Sequence, residues 1–206
     1  MMTIALSDTG KRFNREWIFR NLSYTFHAGK TYAITGPNGS GKSTLLQALA
    51  GALTTSAGKI SYSLQGNAVE PETVYRHLSI AAPYLELIEE MTALEFLAFH
   101  EKFKPLHPSL TLLEILKEVG LEKAANKQVR FYSSGMKQRL KLAQAIFSDT
   151  QVVLLDEPCT NLDAAGIVLY QELMGKYANH RLIIVSSNDQ QEYHFCETTI
   201  SISDYK

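Results

Sequence analysis

The feature that most constrains this 206-residue chain is a glycine-rich segment that follows a short apolar run. Residues 36–43 fit the pattern G-x-x-x-x-G-K-[ST]. Glycines let successive backbone N–H groups turn toward one anion, and the start of the next helix adds its dipole. The segment therefore predicts a loop that binds nucleotide phosphates, formed by Gly36, Pro37, Asn38, Gly39, Ser40, Gly41, Lys42, Ser43 and Thr44.

The surrounding sequence has the order that such a loop requires. The apolar residues of Thr31–Thr35 predict a buried strand before it, and Ser43–Ala50 predicts a helix after it. Lys42 supplies a positive charge for the β- and γ-phosphates of ATP, and Ser43 supplies an oxygen for Mg²⁺. A chance match in a chain of this length has odds of about one in a hundred.

Two acidic residues follow a second apolar run, Val152–Leu155. Ligands bind beyond the carboxyl ends of strands in open α/β sheets, so Asp156 and Glu157 are predicted to lie where a nucleotide would bind. Two acids after a strand are by themselves more often a solvated loop, but the phosphate loop upstream favours a functional role. We expect Asp156 to hold the Mg²⁺ shell and Glu157 to orient the attacking water.

The remaining pattern predicts an α/β fold with a mostly parallel central sheet and flanking helices. A small antiparallel β region is expected at the N-terminus, from Thr3–Leu6, Trp17–Arg20 and Ser23–Phe26. Four further strands are predicted at Gly58–Leu64, Leu78–Ala82, Leu182–Ser186 and Thr198–Ile202, and a helix at Asp163–Tyr177.

A helical lobe is predicted at about residues 85–145, inserted into a single domain that spans 1–206. Two capping boxes introduce its helices, Thr92 with Glu95 and Thr111 with Glu114. Near its end, Ser133 and Gly135 begin another helix with an apolar stripe. A helix start rich in serine and glycine is equally consistent with an anion site and with an ordinary cap.

Composition and charge exclude several classes of protein. The formal net charge is −1, which argues against nucleic acid as the main partner. The first 20 residues lack the apolar stretch of a signal peptide, and no run approaches the roughly 18 apolar residues that span a bilayer. A role at a membrane would therefore require a partner protein.

In its order of motifs, the chain resembles the ATP-binding subunits of ABC transporters. The order is the phosphate loop, a helical lobe, the helix start at Tyr132–Met136, the pair Asp156 and Glu157, and then Thr160–Asp163. The resemblance covers essentially the whole chain, and its compact size is similar to that of haem-exporter-type subunits. It implies a P-loop NTPase fold of the ABC type that binds ATP and Mg²⁺.

Further roles are implied by the resemblance alone. Phe13 stands where the family places an aromatic that stacks on adenine, although an ordinary core aromatic would look identical. Ser133 and Gly135 match positions that contact the γ-phosphate bound by a second subunit, and Asp163 matches an aspartate at the dimer interface. The implied partners are a second ATP-binding subunit, expected to be an identical copy, and an integral membrane transporter subunit. The implied location is the cytoplasmic face of the cell membrane.

Three departures from the family pattern bear on hydrolysis. The signature, usually Leu-Ser-Gly-Gly-Gln, reads Tyr-Ser-Ser-Gly-Met here, with Ser134 in place of a glycine. Tyr84 occupies the position of a glutamine that contacts Mg²⁺ and water, and a phenol could still hydrogen-bond there. Asn188 occupies the position of a catalytic histidine; asparagine can donate to a γ-phosphate but cannot become charged.

Three alternative functions are consistent with these residues. The leading hypothesis is an Mg²⁺-dependent ATPase whose ATP-driven dimer closure powers a separate membrane subunit. A rival is a nucleotide-gated subunit that hydrolyses poorly, because of Tyr84 and Asn188, and pairs with a more competent partner. A third is a soluble ABC-type ATPase, such as one that acts in Fe–S assembly.

Overall fold

The computed structural model describes all residues from 1 to 206. Nine strands form two sheets: β1 (Met2–Phe13), β2 (Glu16–Phe26), β3 (Thr31–Thr35), β4 (Ala57–Leu64), β5 (Asn67–Val69), β6 (Leu78–Ala81), β7 (Val152–Asp156), β8 (Leu182–Ser186) and β9 (Thr198–Ser201). Six α-helices lie between them: α1 (Lys42–Leu49), α2 (Ala93–Glu101), α3 (Leu112–Glu118), α4 (Ser134–Ile146), α5 (Ala164–Tyr177) and α6 (Gln190–Tyr193). Short 3₁₀ helices occupy Pro71–Arg76, Glu122–Ala124, Val129–Phe131 and Ile202–Tyr205.

The antiparallel sheet has the strand order β2-β1-β4-β5. It confirms the predicted N-terminal β region, but the strands predicted at Trp17–Arg20 and Ser23–Phe26 are one continuous strand, β2. The sequence pattern breaks there because Asn21 has a positive φ of 54° and the β1–β2 register shifts between Leu6 and Thr9. A bulge of this kind interrupts the two-residue alternation on which strand prediction depends.

The second sheet has the order β6-β7-β8-β3-β9, and its β7–β8, β8–β3 and β3–β9 pairs are parallel. Every residue of β7 and β8 is buried. Continuous apolar runs are typical of strands covered on both faces. The parallel sheet confirms the predicted fold class and aligns the carboxyl ends of β3, β7 and β8.

The helices begin where the sequence predicts. Both capping boxes are present, with the hydroxyls of Thr92 and Thr111 accepting from backbone N–H groups while the glutamates reach back to the cap residues. Asp163 caps α5, accepting a hydrogen bond from the N–H of Gly166 at 2.8 Å. No helix is both long enough and apolar enough to cross a lipid bilayer.

The chain divides into two compact units. The first contains Met1–Ile80, Thr150–Asp156 and His180–Lys206, with a core in which Leu45, Leu46 and Leu49 of α1 belong to the same buried cluster as Ile34 and Ile184. The second contains Ala81–Asp149 and Glu157–Asn179. In the second unit, α4 contacts α2, α3 and α5.

Candidate functional site

The glycine-rich loop of the first unit connects β3 to α1 and encloses its own lysine. Lys42 is 5% exposed, and its ammonium donates to the carbonyls of Gly36 at 2.9 Å and Pro37 at 3.4 Å. The N-cap of α1 is Gly41, and no side chain caps the helix. The first backbone N–H groups of a helix have no intrahelical acceptor, so this end of α1 is suited to an anion.

Glycine is required at position 41 for two reasons. Its φ of 103° is rarely adopted by residues with a side chain. A Cβ at this position would also clash with the side chain of Ile18. The loop therefore depends on glycine to bring its backbone close to β2 while leaving the start of α1 open.

Among the buried oxygens that have no hydrogen-bond partner within the chain, two belong to predicted site residues. They are Oγ of Ser40, in the loop, and Oδ1 of Asp156, at the end of β7. Asp156 is only 1% exposed. Buried polar groups are normally satisfied, so unpartnered oxygens indicate a ligand site. Hydroxyl and carboxylate oxygens are the donors that Mg²⁺ prefers, and the residues present therefore fit that ion.

Asn188 follows β8 and lies against the loop. Its Nδ2 donates to Oδ1 of Asn38 at 2.9 Å. The turn that carries Asn188 is fixed by the neighbouring N–H of Asp189, which donates to Oγ of Ser187 at 2.9 Å. The structure therefore brings together two predicted site residues that are 150 positions apart.

Phe13 ends β1 in the same unit, and the residue is 49% exposed. The ammonium of Lys11 lies 5.0 Å from the centre of that ring. The ring is therefore not an ordinary core aromatic, and an exposed face is what stacking on a nucleotide base requires.

The signature segment of the second unit forms the start of α4. Ser133 is the N-cap, and its hydroxyl accepts from the N–H of Met136 at 3.2 Å. Ser133 and Ser134 are both exposed, so the cap leaves the helix start open. A Cβ on Gly135 would lie 3.0 Å from the carbonyl oxygen of Asn161, which explains why a glycine fits there.

Tyr132 replaces the leucine that usually opens this signature. The side chain is buried, and its hydroxyl donates to the carbonyl of Ala124 at 2.7 Å. Burial raises the pKa of this phenol, so it stays protonated and keeps its donor. The substitution therefore preserves an apolar anchor before α4 and adds a hydrogen bond.

Glu157 follows Asp156 directly in the chain and is the first residue of its segment of the second unit. Its φ is +44°, a conformation that residues with a side chain adopt at a cost. Backbone strain of this kind clusters at functional sites. Tyr84 lies in the same unit with its side chain 44% exposed.

Comparison with known proteins decides the family. A sequence model described as ABC transporter matches residues 19–160, which is more than half of the chain. The chain belongs to the ABC transporter family. It is an ATP-binding member, and the family assigns ATP hydrolysis to it.

Two relatives and one solved structure illustrate the match. The chain is 29% identical over 196 residues to the uncharacterized ABC transporter ATP-binding protein YybJ of Bacillus subtilis, covering 94% of this chain and 89% of the relative. It is 38% identical over 153 residues to the cytochrome c biogenesis ATP-binding export protein CcmA of Xylella fastidiosa, covering 74% and 68%. A bacterial ABC transporter cassette solved as a dimer superposes with a TM-score of 0.80 at 22% identity, covering 97% and 94%.

In this ABC transporter subunit, α4 makes two contacts that the sequence did not predict. Nζ of Lys141 donates to the carbonyl of Pro83 at 3.0 Å, immediately before Tyr84. Nε2 of Gln138 is buried and donates to the carbonyl of Pro158 at 2.7 Å, immediately after Glu157. From the sequence, the polar side chains of Gln138 and Lys141 on a mostly buried helix face could have indicated such contacts. The sequence does not identify the carbonyl groups that accept them.

Asp163 of the ABC subunit has a local structural role in addition to its predicted one. Besides capping α5, its Oδ1 lies 3.4 Å from a guanidinium nitrogen of Arg139 on α4. The side chain of Asp163 is 73% exposed, so this ion pair contributes little to stability. Its exposed carboxylate remains accessible to another molecule.

Proposed function

We propose that this chain is the Mg²⁺-dependent ATPase subunit of an ABC transporter and that it powers a separate membrane-spanning subunit. The observation that carries the proposal is the phosphate loop, in which the buried Lys42 ammonium lies beside an uncapped helix start. The unpartnered oxygens of Ser40 and Asp156 in the same unit support it. We propose that residues 1–206 act as one ATP-binding domain with a helical lobe at about 85–145.

Each residue has a defined role in this mechanism. The loop amides and Lys42 bind the phosphates, and Phe13 stacks on adenine. Ser43 and Asp156 would hold Mg²⁺, with Tyr84 contributing through its hydroxyl; the ion would neutralise charge on the phosphate oxygens. Glu157 orients and polarises the attacking water, and Asn188 donates a hydrogen bond to the γ-phosphate.

The active form in this proposal is a head-to-tail homodimer. Ser133 and Gly135 of one copy contact the γ-phosphate bound by the other, while Asp163 lies at the interface. The exposed helix start at Ser133 and the exposed Asp163 carboxylate are compatible with that role. ATP closes the dimer because each γ-phosphate touches both copies, and hydrolysis removes that bridge.

The membrane subunit is proposed to dock on the helical unit, which places the chain on the cytoplasmic face of the cell membrane. Four large apolar side chains between residues 84 and 103 are more than a third exposed: Tyr84, Ile88, Phe99 and Phe103. Phe103 is 71% exposed, and its ring centre lies 5.1 Å from that of Phe99. Exposed apolar side chains of this size are typical of protein interfaces.

A Phe103→Ser variant tests this docking surface. We expect it to lose at least tenfold in affinity for the membrane subunit that co-purifies with the wild type, because a large apolar contact is removed. The measurement is pull-down and titration in detergent. Leu113→Ser is the control, since Leu113 is 46% exposed on α3 of the same unit, outside this segment. Equal affinities of Phe103→Ser and wild type would place the partner elsewhere.

The rival function is a subunit that binds ATP but hydrolyses it poorly. The observation that favours it is Asn188, which stands at the family's histidine position. Against it, the Asn188 amide is already held at the loop by Asn38, 2.9 Å away. An asparagine can therefore donate there without being charged.

The Asn188→His variant separates the two functions. We expect turnover to change by less than about threefold at pH 8 and to become pH-dependent near pH 6.5, the ordinary pKa of histidine. The measurement is steady-state phosphate release between pH 5.5 and 8.5. Asn67→His, on exposed β5, controls for adding an imidazole to the surface. A gain of tenfold or more would favour the rival.

A further inference from the structure

The last residue of β8, Ser186, has a buried hydroxyl that nothing in the chain satisfies. Its side chain is 0% exposed, and its Oγ has no hydrogen-bond partner. The next residue, Ser187, accepts a hydrogen bond from Asp189. A buried hydroxyl without a partner is uncommon in folded proteins and calls for an explanation.

The strand register places this hydroxyl next to Asp156. Asp156 of β7 and Ser186 of β8 are direct partners in the parallel ladder, and Oδ1 of Asp156 is also buried and unpartnered. Neighbouring strands lie about 4.8 Å apart, so two short side chains on one face are within reach of a single hydrogen bond. An ionised carboxylate only accepts, whereas a serine hydroxyl can donate, and the two groups are therefore complementary.

Both side chains lie on the face of the sheet that α1 covers. Leu182 and Ile184 alternate with Ser186 along β8, and they belong to the buried cluster that includes Leu45 and Leu49 of α1. The same helix begins with Lys42 and Ser43. The unpartnered pair is thus on the same face as the residues proposed to bind the phosphates and the metal.

We infer that Ser186 is a positioning residue for the metal site and donates a hydrogen bond to the Asp156 carboxylate in the nucleotide-loaded subunit. This bond fixes the orientation of the carboxylate and leaves its other oxygen for the metal shell. The inference rests on the proposed function, in which Asp156 supports Mg²⁺. Removing a group that orients a metal-binding side chain typically lowers the affinity for the metal by 10–100-fold.

The test is the affinity of the subunit for Mn²⁺ in the presence of a non-hydrolysable ATP analogue, measured from the electron paramagnetic resonance signal of free Mn²⁺. We expect Ser186→Ala to weaken Mn²⁺ binding by about tenfold and to leave metal-free ATP affinity, measured in EDTA, unchanged. Ser186→Thr keeps the hydroxyl and should restore Mn²⁺ affinity. Unchanged Mn²⁺ affinity in Ser186→Ala would overturn the inference.

Thermal unfolding without nucleotide separates positioning from a purely structural role. Removing an unpartnered hydroxyl should leave the melting temperature of Ser186→Ala unchanged or higher. Ser79→Ala is the matched control, because Ser79 is a buried serine of the same sheet whose hydroxyl is bonded to Thr150 at 3.0 Å. It should melt earlier and keep its Mn²⁺ affinity. If the wild type itself fails to bind nucleotide and Mn²⁺, the proposed function fails instead.

Discussion

The Lys42→Ala variant is expected to bind Mg·ATP about 100-fold more weakly than the wild type. Hydrogen bonds to charged groups contribute about 1.5–3 kcal/mol, and each 1.4 kcal/mol is a factor of ten in affinity. The ammonium of Lys42 is shielded from solvent and already held at the loop by Gly36, so it reaches a phosphate with little loss of side-chain freedom. Isothermal titration calorimetry with Mg·ATP provides the measurement.

Two controls make the Lys42 result specific. Lys59→Ala removes an exposed lysine of β4 in the same unit and should leave ATP affinity unchanged. Circular dichroism and thermal melting of Lys42→Ala establish that the variant is folded. Retention of wild-type affinity in a folded Lys42→Ala protein would contradict the assignment of residues 36–44 as the phosphate site, and with it the ATPase mechanism.

The Glu157→Gln variant is expected to lose 10²–10⁴-fold in ATP turnover, because a glutamine cannot accept a proton from the attacking water. Its affinity for ATP should change little, since Glu157 acts on the water rather than on the nucleotide. ATP should therefore persist and hold the closed dimer together. Steady-state phosphate release measures the first effect, and light scattering after size exclusion in Mg·ATP measures the second.

A charge-matched control accompanies that variant. Glu197→Gln also removes one carboxylate, but Glu197 is half exposed and paired only with Lys30 at 2.7 Å on the surface. Its turnover should equal that of the wild type, because such exposed ion pairs contribute little. Unchanged turnover in Glu157→Gln would show that another group activates the water.

Sequence reasoning predicted the fold where one local pattern dominates. The buried strands β3, β7 and β8 and the two capping boxes were located within one or two residues. The continuity of β2 was missed because asparagine is typical of turns, and only the structure shows that Asn21 adopts its left-handed conformation within one strand. The three-residue strand β5 was also missed, since so short an element carries no measurable periodicity.

In the candidate site too, local motifs predicted some residues, whereas contacts between distant parts of the chain could not be predicted. Contiguous motifs were enough to select Lys42, Asp156 and Glu157 as candidates, because these motifs are defined by the spacing of residues along the chain. The contact between Asn38 and Asn188 joins residues 150 positions apart, and only the strand order brings them together. For the start of α4, the sequence left a cap and an anion site equally open; the structure shows that Ser133 is the cap and that the helix start stays exposed, which is compatible with both.

The two side-chain contacts of α4 have a mechanical consequence. The 13-residue helix α4 contacts the backbone just before Tyr84 through Lys141 and the backbone just after Glu157 through Gln138. These anchor points are a single turn apart, so a tilt of the helix must displace both loops at once.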